Sequence, residues 1–269
     1  MYKIIYKILP VLVVSVVAFV FLKMNADANH SWGGYHWART ANPFTLKLGD
    51  SVSGAWDSYL LAASVDWSTS NILDATVVPG KTRSAKTCKP IAGRVETCNS
   101  TYGSNGWLGI AQIWASGTHI TQGVVKMNDT YFNTTTYNKP SWKQFVMCQE
   151  VGHVFGLDHQ DEAFANPNLG TCMDYTNDPA RNDGVGDNLR PNTHDYEEIA
   201  TIYGHLDGST TLAQTTATSG SSRAEPETDG NDPSSWGQQT RKDAKGRGSL
   251  YVRDLGKGEK LFTFVIWAD

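Results

Sequence analysis

The sequence predicts an α+β domain, on three observations: short strand-like apolar runs, three stretches that read as helices, and Gly/Pro/Asn/Asp clusters that separate them. Phe44, Leu46 and Leu48 alternate with polar residues and read as a half-buried strand. From Ser51 to Ser68, Trp56, Tyr59, Leu60, Ala63 and Trp67 recur at the period of a helix face. Ile72 to Val78 is a short strand closed by Pro79-Gly80, and a cysteine loop over 88–98 follows. Leu108–Trp114 and Val124–Met127 are further strands. Pro140 opens a second helix, with Ser141 as the expected N-cap and Gln144 completing a capping box. That helix is expected to stop at Gly156, a residue suited to a left-handed C-cap. Pro191 to His194 cap a last helix that runs through Ile199 and Ile202 to Gly204.

Composition narrows the class. The chain has 269 residues, 40% hydrophobic and 19% charged, enough for one sizeable core. A net charge of −4 with no basic cluster excludes a nucleic-acid partner. Lys3 and Lys7 precede an apolar run from Ile8 to Leu22, and Ala26-Asp27-Ala28 offers a small-x-small cleavage site. Residues 1–28 therefore read as a secretory signal peptide, with a membrane anchor through residues 4–22 as the alternative that Lys23 leaves open. Pro10 and the shortness of the run weigh against a spanning helix, which needs about 20 residues. Either way the remainder is extracellular: a catalytic domain over 29–206, a Ser/Thr/Gly-rich flexible linker over 207–235, and a C-terminal β-hairpin over 236–269. A lone hairpin is marginal in water, so this one is expected to dock on the domain or on a partner. Four cysteines allow three pairings. Those favoured are Cys88–Cys98, which closes a short polar loop, and Cys148–Cys172. Zinc-binding thiols would need a C-x-x-C spacing that the chain lacks.

The chemistry concentrates in Gln149-Glu150-Val151-Gly152-His153-Val154-Phe155-Gly156-Leu157-Asp158-His159. On a helix, residues 149 and 153 stack on one face and can grip one metal ion. Glu150 is rotated by about 100° from 149, so its carboxylate lies beside the metal, placed to take a proton from water that the metal activates. Gly156 lets the chain reverse and bring His159 in as a third ligand.

This segment resembles the H-E-x-x-H-x-x-G-x-x-H zinc motif of the metzincin metalloproteases, in their matrixin-like and astacin-like branches, with Gln149 in the place of the first histidine. A gametolysin-like Q-E-x-x-H-x-x-G-x-x-H variant exists in that clan. Downstream, Cys172-Met173-Asp174-Tyr175 falls where the clan has its Met-turn. The resemblance covers roughly residues 40–205. It implies a metzincin-like domain: a twisted mixed β-sheet, a metal-binding active-site helix, a Met-turn and a C-terminal helix. It implies a secreted zinc endopeptidase in which Gln149, His153 and His159 hold the metal, Glu150 is the general base and Tyr175 stabilises the oxyanion. Met173 and Gly156 are then structural, and Cys148–Cys172 would lock the metal helix to the Met-turn. Leu108–Trp114 would be the edge strand that takes an extended peptide by strand addition. The expected partner is a protein or peptide substrate, and the chain is read as a monomer.

Gln149 opens the alternatives. An amide oxygen is a poorer zinc ligand than imidazole, which implies weaker binding and admits copper. The second functional reading is an inactive pseudoprotease that binds peptides or proteins outside the cell. Asp161 and Glu162 could hold calcium, although a solvated acidic pair is the plainer reading. His36, His119, His194 and His205 read as surface or satisfied histidines, with His119 in reserve as a substitute ligand. No cysteine-switch cysteine is visible, so a matrixin-type zymogen is not expected.

Overall fold

Parallel pairing at one end and antiparallel pairing at the other divide the single sheet of this protein. A computed structural model describes residues 30–213 and 230–269. The leader and most of the expected linker lie outside the described residues. In chain order the elements are β1 (His36–Trp37), β2 (Phe44–Ser51), α1 (Asp57–Trp67), β3 (Leu73–Pro79), β4 (Val95–Ser100), β5 (Trp107–Ser116), β6 (His119–Asn128) and the short α2 (Asp129–Phe132). Then come α3 (Pro140–His153), α4 (Thr193–Ile202), a 3-10 turn (Pro233–Ser235), β7 (Gln238–Lys242), β8 (Gly248–Gly256) and β9 (Glu259–Trp267). The strand order is β3-β2-β4-β6-β5-β9-β8-β7, with β1 added alongside β6. The strands from β3 to β6 pair in parallel, and the direction reverses at β5. The result is a mixed α+β fold with few helices. No helix among the described residues is long and apolar enough to cross a membrane.

Helix boundaries follow local chemistry more tightly than periodicity suggests. Helix α1 begins at Asp57, not Ser51, because Ser51 ends β2 and Ser53 to Trp56 close a turn (Trp56 N to Ser53 O, 2.7 Å). In α3 the expected Ser141 cap is absent: Lys139 is the N-cap, extended at φ −129°, and no side chain caps the helix. The physical reason is Pro140, which occupies the first helical turn and bars its predecessor from helical backbone. The helix also ends at His153, three residues before Gly156. Asn192 and Asp195 form a full capping box on α4.

Two parts of the sheet depart from expectation. Val95–Ser100 lies largely within the expected cysteine loop, yet it is the interior strand β4, parallel to both β2 and β6. Its sequence is polar, but Glu96 is buried against the Arg94 guanidinium at 2.8 Å. The tail carries three strands rather than a lone hairpin, and β9 pairs along β5 from Trp107–Trp267 to Ser116–Glu259. Docking on the domain is thus by main-chain ladder. At the other side of the linker, Asp207 to Ala213 already pack on the domain, with backbone bonds to Arg39, Ala38 and Gly93.

Both expected disulfides are present, Cys88–Cys98 and Cys148–Cys172. The core lies where α1 and α3 pack on the sheet, and it includes Trp37, Trp56, Trp67, Phe145 and Val151, with Ile199 joining it from α4.

Candidate metal centre

Gln149, Glu150 and His153 share the last turns of α3, all fully or almost fully buried. His153 Nδ1 lies 2.9 Å from the Leu157 carbonyl. A carbonyl can only accept, so Nδ1 carries the proton and Nε2 keeps its lone pair. His159 repeats the arrangement with a carboxylate: its Nδ1 donates to Glu162 Oε1 at 2.8 Å. The two rings stand perpendicular with centroids 4.5 Å apart. Burial, together with the nearby His159, holds the His153 imidazole well below its usual pKa and therefore neutral. Burial alone pushes the Glu150 carboxyl well above its ordinary range. Glu162 orients His159, and an Asp161 oxygen accepts the Ala163 amide, so neither is the free acidic pair that a calcium site would need.

Several polar atoms here have no hydrogen-bond partner although they are buried: both amide atoms of Gln149, both carboxylate oxygens of Glu150, and His159 Nε2. Leaving such groups unmet costs about 1–3 kcal/mol each, more for a charge. Two imidazoles turned lone-pair outward, an amide oxygen and a carboxylate beside them suit a divalent cation of zinc type. The donor set fits a metal.

What holds this stretch of chain is a ring of aromatic donors. Trp67 Nε1 donates to the Cys148 carbonyl at 3.1 Å, Trp32 Nε1 to His153 at 3.3 Å and Trp37 Nε1 to Val154 at 2.8 Å. The Tyr203 hydroxyl donates to Phe155 at 2.9 Å. The carbonyls of His153, Val154 and Phe155 lie at or beyond the end of α3, which has no further turn to satisfy them, whereas the Cys148 carbonyl lies within the helix and takes the Trp67 indole as an additional donor. The abundance of Trp was visible in the sequence; its use as a cap was not. Gly156 sits at φ +102°, and a Cβ there would strike the Tyr35 carbonyl. Its role is the reversal that delivers His159.

Two further glycines matter that the motif did not single out. A Cβ on Gly152 would lie 2.5 Å from Met173 Sδ and 2.7 Å from the Trp67 ring, so the helix rests directly on Met173 at that point. A Cβ on Gly109 of β5 would strike Val146 and come within 2.8 Å of Glu150 Oε1. Backbone bonds from Gln160 N to Met173 O (2.7 Å) and Tyr175 N to Asp161 O (3.0 Å) lay the 173–175 segment beside His159. The Tyr175 ring is 4.4 Å from that of His159.

The cleft face is covered. Strand β5, expected at the sheet edge, is interior, because β9 takes the place beside it. The Phe264 ring stacks on His153 at 4.1 Å and 13°. The Tyr175 hydroxyl donates to the Val265 carbonyl at 2.6 Å. Arg241 of β7 forms an ion pair with Asp158, next to His159. His119 does not approach α3; it lies with His36, His205 and Asp207 at the start of β6. Those three are therefore not independent surface histidines.

No protein-family profile and no curated protein sequence matches the chain. Among solved structures, similarity is found to high choriolytic enzyme 1, a hatching-enzyme zinc-protease from Oryzias latipes (medaka fish). Identity there is 10% and the TM-score 0.36, over 65% of this chain and 99% of that one. Two structures of myroilysin match at 14% and 13% identity with TM-scores of 0.37 and 0.33. They cover 66% and 62% of this chain, and 99% and 86% of their own.

Proposed function

We propose that the protein is a secreted, metal-dependent endopeptidase. The carrying observation is the set of buried, unpartnered polar atoms of Gln149, Glu150 and His159 gathered beside the His153 imidazole. Gln149 Oε1 and the Nε2 atoms of His153 and His159 would hold the metal, zinc being the first candidate. When bound it supplies Lewis-acid polarisation of water and of the scissile carbonyl.

The remaining chemistry belongs to side chains on the page. Glu150, with its proton affinity raised by burial, takes the proton of the attacking water and returns it to the leaving amine. The Tyr175 hydroxyl already donates to a peptide carbonyl, the contact that a developing oxyanion strengthens. Met173 supports the helix from below through Gly152, and Cys148–Cys172 ties both together. β5 supplies the ladder: a strand lies along it with one side chain on the ligand face and one carbonyl on Tyr175, which is how an extended peptide would be held. Two disulfides fit an oxidising, extracellular compartment.

Elemental analysis of freshly purified protein, together with cleavage of an unfolded protein substrate, tests the reading. Because β9 fills the groove, cleavage is measured on the unaltered chain and on Phe264→Ala. The zinc-loaded Phe264→Ala chain is expected to cut, and Gln149→His to bind zinc about tenfold or more tightly. A site at 149–159 that takes up no divalent metal, or no change in affinity with Gln149→His, sinks the assignment.

A further inference from the structure

At the start of β6, far along the chain from the motif, two histidines and an aspartate turn their donor atoms toward one point. His36 Nε2 lies 3.2 Å from His205 Nε2 and 3.4 Å from Asp207 Oδ1, and His205 Nε2 is 3.7 Å from that oxygen. A fourth donor, His119 Nε2, stands 3.2 Å from the same oxygen. The first three donors fall within a single metal-sized cluster. Zinc–nitrogen distances near 2.0–2.1 Å place tetrahedral donors about 3.3–3.4 Å apart, which these separations bracket.

The supporting contacts orient the donors as a metal site requires. His36 Nδ1 donates to the Gly34 carbonyl at 2.8 Å, so in the neutral ring Nε2 offers a lone pair. Asp207 Oδ2 is engaged by the Arg39 amide (3.1 Å) and guanidinium (2.9 Å), which leaves Oδ1 to face the imidazoles. At these distances neutral imidazoles would set lone pairs against one another and against the carboxylate, a repulsion that a proton or a metal cation between them removes.

We propose that His36, His205 and Asp207 form a second, structural zinc site, with His119 placed to swing in as the fourth ligand. It clamps β1, the β5–β6 turn and the exit from α4. Through Trp37, the neighbour of His36, the clamp reaches the carbonyls at the end of α3.

Metal content of the full-length chain tests this, stripped with EDTA and then dialysed against zinc alone. Unaltered protein is expected to hold about two zinc ions per chain, and His205→Ala, Asp207→Asn and His153→Ala about one each. The His205 side chain is 55% exposed, so its removal leaves no buried void; circular dichroism of the metal-free variant checks the fold. Zinc should also raise the melting temperature of His153→Ala by about 5 °C or more, and this rise should vanish once His205→Ala is added. If His205→Ala keeps all the zinc of the unaltered chain, the cluster is a protonated ion-pair network and the proposal falls. One zinc lost with His205→Ala but kept by His153→Ala would support this site while sinking the one on α3.

A different observation carries a second inference, which rests on the functional reading above. We infer that β9 is an intramolecular pseudo-substrate that keeps the enzyme latent. It runs antiparallel along β5, its Phe264 ring covers the His153 face, its Val265 carbonyl takes the Tyr175 hydroxyl, and Arg241 pins the same module to Asp158. Weakening these contacts in the full chain, by Phe264→Ala or Arg241→Glu, should let it bind a labelled synthetic peptide copying residues 259–267. The unaltered chain should bind that peptide at least about tenfold more weakly. Amide exchange over 107–116 should quicken in the same variants. Equal peptide binding and equal exchange in all three proteins would overturn latency. Peptide capture without cleavage would leave the occlusion standing and count against the peptidase reading.

Discussion

Glu150→Ala, made in the Phe264→Ala chain, is expected to abolish cleavage of an unfolded protein while leaving zinc content unchanged. General-base catalysis of this kind contributes about 10²–10⁴-fold. A loss near 10³ corresponds to about 4 kcal/mol of barrier. The variant also separates catalysis from structure. Glu150 is buried with both oxygens unpartnered, a situation that destabilises the fold. Its removal should therefore hold or raise the melting temperature even as turnover disappears. Cleavage that persists in Glu150→Ala would remove the carboxylate from the mechanism. A fall in zinc content would make it a ligand rather than a base.

The second large effect is structural. Removing the Cys148–Cys172 bridge by a double change to alanine should cost about 3.5 kcal/mol, from the entropy of opening a loop of this length. For a chain of this size that lowers the melting temperature by about 7–14 °C. The bridge joins the residue before Gln149 to the residue before Met173, so zinc affinity should fall with it. The Cys88–Cys98 double alanine opens a shorter loop, serves as the comparison, and should cost less, about 2.8 kcal/mol. Thermal melts of both variants, with zinc titration, check the pair. Equal zinc affinity in the two would mean that the bridge stabilises the fold without holding the site.

The candidate site was legible because its residues are neighbours in sequence. Gln149, Glu150, His153, Gly156 and His159 fall within eleven positions; helical spacing fixes who shares a face among the first three, and the glycine marks the turn that brings in the last. Met173 and Tyr175 came from the resemblance, and the loop geometry brings Tyr175 against His159. What surrounds the site was not legible. Trp32 and Trp37 reach carbonyls at the end of α3 and Trp67 one inside it, all from distant segments, and no local pattern announces an indole in that role. Gly109 looked like an ordinary strand residue until the approach of Glu150 was seen. β4 was hidden because its burial is satisfied by an Arg94–Glu96 ion pair rather than by apolar alternation. The tail hairpin was readable from its turn, but its choice of β5 as neighbour was not, since strand pairing across the whole chain leaves no trace in local periodicity. The histidine cluster escaped for the same reason: His36, His119 and His205 are isolated letters until the sheet and α4 bring them together.

The place of β9 between β5 and β8 also sets an order of events at birth. β5 and β6 leave the synthetic machinery long before their last neighbour is made. At ordinary elongation rates the delay is on the order of ten seconds. For that interval the apolar run Leu108-Gly109-Ile110-Ala111-Gln112-Ile113-Trp114 has an unpaired side, which makes it a natural station for a chaperone and a hazard for self-association.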